Sequence, residues 1–115
     1  MTEEAKKQSG ALTPSKVHRL DDLLGYVEGS VVSRTIVKNK GGTVTLFSFD
    51  AGQELSEHSA PFDALVQVLD GEVQLVIGGE TVPTRAGETV MMPANVPHGL
   101  KAVKKFKMLL TMVKD

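Results

Sequence analysis

From residue 30 onward the chain is a succession of short apolar-rich runs divided by glycine-containing turns. The runs are SVVSRTIV, TVTLFSFD, DALVQVLD, EVQLVIG, ETVPTR, ETVMMP, HGLKAV and FKMLLTMV. They are rich in β-branched and aromatic residues, whose side chains fit a pleated, half-buried surface. The dividers are Asn39-Lys40-Gly41-Gly42, Ala51-Gly52, Asp70-Gly71, Gly78-Gly79 and Ala86-Gly87. Short strands at this regular spacing predict an all-β sandwich or barrel. Gly78-Gly79 predicts a tight hairpin, because both central turn positions accept positive φ, and Asp70-Gly71 predicts a second. No repeat of solenoid type is present.

Ahead of residue 30 the pattern is different. In VHRLDDLLGY (17–26), Val17, Leu20, Leu23 and Leu24 recur at helical spacing and Gly25 can end the run. This predicts one short N-terminal helix that needs packing to form. Residues 1–16 are polar and lack periodicity, which predicts a flexible arm, with residues 17–115 forming the domain. Some strands are apolar on both faces, as at Leu65, Val66, Val68 and Leu69 and along Met108–Met112. One face fills the interior. The other must meet a second sheet, a helix or a partner subunit, and on that ground a homodimer is expected.

Composition narrows this further. A chain of 115 residues suits one domain. With aromatics at 4% and no Trp, the core must be built mainly from Val, Leu, Ile and Met. A formal charge of -1 predicts no broad field for nucleic acid or an anionic membrane. Lys101, Lys104, Lys105, Lys107 and Lys114 alternate with apolar residues and read as the wet face and protected edge of strands. The absence of cysteine excludes disulfides, thiolate metal sites and cysteine nucleophiles. No run reaches the length of a membrane span, and MTEEAKKQSG lacks an apolar signal core. A cytoplasmic location is expected by elimination.

Two segments then carry a resemblance. GQELSEHSAPFDALVQVLDG (52–71) and GETVMMPANVPHGLKA (87–102) resemble the two sequence motifs of the cupin superfamily, in the compact single-domain form with a short intermotif segment. Gly52, His58 and Gly71 match the first motif at the right spacing, and Gly87, Pro93 and His98 match the second. The resemblance implies a double-stranded β-helix, that is, a jelly-roll or cupin barrel, with an interior metal site of three histidines and a glutamate. This sequence departs from that site. Ala60 stands where the second histidine belongs and Ala64 where the glutamate belongs, while Asn95 replaces a turn glycine and Ala102 a final asparagine. Of the implied ligands, His58 and His98 remain as the candidate metal site.

Side chains alternate across a strand, so the even positions 58, 60, 64, 66 and 68 share the inner face. Gln67 then points away and is a poor substitute ligand unless a bulge shifts the register. Glu54 shares the parity of His58 but is expected near the barrel mouth, too far out. Catalytic metal sites use about three protein ligands. Two imidazoles therefore predict at most weak retention of a divalent transition metal such as Cu(II), Ni(II) or Zn. The competing reading makes them pocket histidines, bonded to each other, to water or to a ligand, and able to hold an anion or move a proton. Leaving such a buried nitrogen unpaired costs about 1–3 kcal/mol, so a partner is expected.

The remaining candidates are weaker. One of Met91 and Met92 should face inward, and Met108 and Met112 read as core, with a thioether ligand near His98 as the lesser alternative. Arg34 reads as a surface ion pair ahead of a carboxylate clamp, Arg85 as solvated, Phe62 as packing over the mouth, and His18 as outside the site. Three functions follow in order: a pocket binding a small molecule, a metal-dependent enzyme of the cupin kind (oxygenase, isomerase or lyase), and a structural interaction domain. No catalytic residue is assigned.

Overall fold

A computed structural model describes the backbone of residues 5–7 and residues 11–114 in full. The strands are β1 (Ala5–Lys7), β2 (Val31–Asn39), β3 (Gly42–Phe49), β4 (Glu54–His58), β5 (Asp63–Asp70), β6 (Glu72–Ile77), β7 (Glu80–Arg85), β8 (Thr89–Met92), β9 (His98–Ala102) and β10 (Phe106–Val113). They form a six-stranded sheet ordered β1-β2-β3-β10-β5-β8 and a four-stranded sheet ordered β4-β9-β6-β7. Apart from the parallel pair β1–β2, the pairings are antiparallel. Each of the predicted runs is a strand. Gly78-Gly79 closes the β6–β7 hairpin as its glycines require.

The two inner faces meet in one core. Along β5 burial alternates, with Ala64, Val66 and Val68 turned inward, as the parity of the sequence predicts. They meet Val73 and Leu75 of β6 and Leu100 and Ala102 of β9 from the opposite sheet. Phe49 of β3 stacks on Phe106 of β10, ring centroids 4.7 Å apart and 16° from parallel. Each fully buried side chain of this kind stabilises the fold by roughly 1.5–3 kcal/mol.

Several expectations are corrected. Instead of an N-terminal helix there is a single 3-10 turn, Leu20–Asp22, with no side chain capping its start. The apolar residues that suggested a helix are used differently: Leu24 is buried with Val32 and Leu46 on the outer face of the large sheet, and Leu23, Ile36, Leu69 and Leu109 pack around them. Side-chain bonds fix this strap. The Ser48 hydroxyl donates to the Gly25 carbonyl at 2.9 Å, the Tyr26 hydroxyl donates to Asp70, and the Lys107 ammonium donates to the Asp21 carbonyl. Apolar outer-face residues are thus covered in part by the chain itself, which removes part of the argument for a partner subunit.

Asp70-Gly71 is not a hairpin. It joins β5 in one sheet to β6 in the other. A Cβ at Gly71, where φ is +77°, would lie 1.8 Å from the Lys105 carbonyl oxygen, so the corner admits no side chain. Lys107 is buried and bonded, and β9 and β10 are interior strands of their sheets, so neither is a protected edge. Two strands escaped the pattern. β4 (ELSEH) is polar apart from Leu55, and β1 falls in the expected arm, whose residues 1–4 and 8–10 lie outside the described residues. Among the described residues no helix is long and apolar enough to cross a membrane.

Candidate functional site

His58 ends β4 and His98 begins β9, and the two are direct cross-strand partners. His98 also pairs with Ile77 of β6, so it is held from both sides in the middle of its sheet. A bulge in β4 between Leu55 and His58 sets the geometry: Leu55 faces Leu100 and His58 faces His98, with one extra residue on the β4 side. The bulge brings the Leu55 carbonyl within 2.8 Å of where a Cβ on Gly99 would stand. Glycine at 99 is what lets the bulged backbone approach. The extra residue also resets parity, putting Leu55 as well as His58 on the inner side, while Glu54 and Ser56 sit exposed along the cavity rim. Simple alternation along β4 had put only the even residues there.

The rings of His58 and His98 meet edge to face, centroids 4.6 Å apart at 62°. Both Nδ1 atoms are occupied. His58 Nδ1 lies 3.1 Å from the Ser56 carbonyl and His98 Nδ1 lies 3.1 Å from the Val96 carbonyl. A carbonyl only accepts, so each Nδ1 carries the proton, and in a neutral ring the lone pair is left on Nε2. The two differ in depth: His58 is exposed at the mouth, while His98 is 9% exposed. The turn leading to His98 is fixed by Asn95 at φ +65°, a left-handed position that asparagine tolerates, and by its N–H donating to the Ala60 carbonyl at 2.8 Å.

Both rings line a cavity of about 650 Å³ between the sheets. Ala60 and Ala64 line it with methyl groups only. The floor and walls include Val66, Leu100, Met92, Met108 and Met112, with Phe47 and Leu110 beside them and Phe62 towards the mouth. Of the paired methionines, Met92 faces the cavity and Met91 is 54% exposed. The Lys114 ammonium lies 5.2 Å from the Phe62 ring centroid, a cation–π contact. Gln67, Arg34, Arg85 and His18 are not among the lining residues. His18 Nε2 instead meets the Thr13 carbonyl at 3.0 Å. The cavity role of Phe47, Leu55, Leu100 and Leu110 was missed, although the inward parity of β3 and β10 contained the signal for Phe47 and Leu110.

A model of the cupin domain family matches residues 45–114. The chain belongs to the cupin family. Among solved cupin-like structures, it is similar to a conserved protein of unknown function from Streptococcus pyogenes: 39% identical, covering 90% of this chain and 91% of that one, with a TM-score of 0.87. A cupin superfamily protein from Desulfitobacterium hafniense is 26% identical over 90% of this chain and 95% of that one, at a TM-score of 0.85. A cupin 2 conserved barrel domain protein from Leptotrichia buccalis is 40% identical over 82% of this chain but 46% of that one, at 0.80. Over 53 residues the chain is also 34% identical to polyketide synthase CurC from Streptomyces cyaneus, covering 45% of this chain and only 34% of that protein's length.

The metal centre that the cupin family implies can be tested against these side chains. The imidazole and carboxylate donors of the cavity are His58, His98 and Glu54 on the rim, beside the weaker Ser56 hydroxyl and the thioethers of Met92, Met108 and Met112, while the positions of the other implied ligands are methyl groups. Among the described residues no group of three or more His, Cys, Asp or Glu is placed to hold a metal ion. The residues present do not fit a tightly held metal.

Proposed function

We propose that this cupin binds a small organic molecule in the cavity between its sheets, oriented by His58 and His98, with a divalent metal as at most a weak occupant. The carrying observation is the cavity itself: about 650 Å³, walled mainly by apolar side chains and holding two imidazoles with Nε2 lone pairs uncommitted to the backbone. That volume falls within the range of small-molecule pockets, as does the pattern of apolar walls with a few converging polar groups. The similarity to a polyketide synthase over part of the chain supports an organic ligand over an inorganic one. A purely structural role gives no reason for the interior to stay unfilled. The metal-dependent enzyme is the second reading, and the two imidazoles are the observation in its favour.

The test is a thermal-shift and native mass-spectrometry screen of small organic molecules, run alongside metal analysis before and after chelation. A ligand at a hundredfold excess over its Kd stabilises the fold by about 2.7 kcal/mol, a shift of several degrees. Stabilising ligands that cease to bind when the cavity is filled support the proposal. A near-stoichiometric metal, lost in both His58→Ala and His98→Ala, would overturn its metal-poor part. A homodimer remains part of the proposal. Val37 and Val113, 46% and 59% exposed, border one shallow groove and offer apolar surface for it, and light scattering on the purified chain reads the mass directly.

A further inference from the structure

We infer that the ligand is an uncharged aromatic molecule that donates a hydroxyl hydrogen bond to the histidine pair. This rests on the cavity being a ligand site and adds the ligand's chemical class. The polar chemistry comes first. Each Nδ1–H is already given to a carbonyl, so an uncharged ring can only accept through Nε2, and its ligand must bring the proton. A ketone, ether or ester oxygen offers none.

Charge comes next. No lysine or arginine lines the cavity, and the one charged lining residue is Glu54 on its rim. A carboxylate or phosphate ligand would lose its hydration among apolar walls and face the acidic rim at Glu54, while the Lys114 ammonium, held on the Phe62 ring, is not among the lining groups. Shape and polarisability come last. Met92, Met108 and Met112 present thioethers, and Phe47 and Phe62 present rings, to the same space. Thioethers and rings both favour contact with an aromatic ring over an aliphatic chain of equal area. A phenol-like hydroxyl on a fused aromatic frame answers all of these features together.

The probes are 2-naphthol, its methyl ether 2-methoxynaphthalene, naphthalene-2-carboxylate, and decahydro-2-naphthol, titrated against the full chain at neutral pH by fluorescence or calorimetry. The expected order has 2-naphthol binding roughly tenfold or more tighter than its methyl ether, since the ether leaves both lone pairs unpaired. The carboxylate should bind weakest and the saturated alcohol more weakly than 2-naphthol. His98→Phe should abolish the preference for the hydroxyl over the ether while leaving naphthalene-type binding in place. His58→Gln, at the exposed mouth, is the second variant should His98→Phe not fold, and is expected to reduce the same preference. Equal binding of 2-naphthol and its ether by the wild-type chain would overturn the hydroxyl-donor inference while leaving the cavity reading standing. Tighter binding of the carboxylate or the saturated alcohol would overturn its charge or aromatic part. Failure of every probe, together with failure of the wider screen, would overturn the binding reading itself.

Discussion

The same strands build two unlike ends of one sandwich. At one end β3 contributes Phe49, β10 Phe106 and β5 Val68, and these side chains are at most 2% exposed, with the phenyl rings stacked. A few residues along, the same strands contribute Phe47, Leu110 and Met112, and Ala64, which surround the cavity instead of filling it. Backbone geometry is shared: β10 pairs with both β3 and β5 along its length. What differs is side-chain volume, above all at Ala60 and Ala64. The closed end also anchors the N-terminal strap, through Tyr26 to Asp70 and Asp50 to Gly29. One end holds the molecule together, and the other encloses the cavity.

Truncation should separate the ends most sharply. Phe106→Ala removes a fully buried ring from a filled layer and is expected to destabilise the fold by about 3–5 kcal/mol. Met112→Ala, on the wall of a cavity that already exists, should cost about 1 kcal/mol or less, because little new void is created. Urea unfolding of both variants checks the ratio, and equal losses would mean that the open end is packed as tightly as the closed one.

The next effect belongs to the corner of the closed end. Gly71→Ala meets both a left-handed φ and the Lys105 carbonyl, and should destabilise by about 2 kcal/mol or more by the same measurement. Filling the open end should do the opposite. Ala64→Leu adds apolar carbon to empty space and is expected to leave stability unchanged or raise it by about 1 kcal/mol. It should also weaken 2-naphthol binding by roughly tenfold or more. A variant that unfolds instead would show that the cavity is smaller than its walls imply.

Much of this contrast was legible from residue order. Alternation along DALVQVLD puts Ala64, Val66 and Val68 on one face, and the two motifs single out His58 and His98. The five glycine turns marked strand junctions, while those after β4, β8 and β9 carry no glycine, and Asp70-Gly71 proved to be a corner, since a turn dipeptide does not encode which sheet follows it. Two things could not be read. The bulge in β4 depends on a long-range partner, Gly99, and it moved Leu55 inward against simple parity. The helical spacing of Leu20, Leu23 and Leu24 was real, but the outer face of the large sheet offered Leu23 and Leu24 more burial than a lone short helix could.

The smallest predicted effects lie in the polar ties of the closed end, and pH separates them. The Asp50 carboxylate accepts from the Gly29 N–H at 2.7 Å and from the Ala51 N–H at 2.9 Å, and these bonds hold it below its ordinary value of 3.8. A depressed acid contributes stability that is fully present above the unfolded value and lost as pH falls through the folded one. Tyr26 behaves in the opposite sense. Burial, with the bond to Asp70 and the charges of Asp70 and Asp21 adding to it, pushes its hydroxyl well above the ordinary 10.0. Its contribution is complete below pH 10 and disappears as pH rises beyond it. Melting curves of Asp50→Asn should therefore lie below wild type at pH 7 and converge with it only as pH falls below the ordinary carboxylate range, whereas Tyr26→Phe should lie below wild type at pH 7 and converge only above about pH 10. Both shifts should be a few degrees at most, because both groups are solvent-accessible and screened. The open end supplies the control: Met112→Ala carries no titrating group, so its offset from wild type should stay constant across the same range. If that offset followed pH as well, the two ends would not be as separable as their packing makes them.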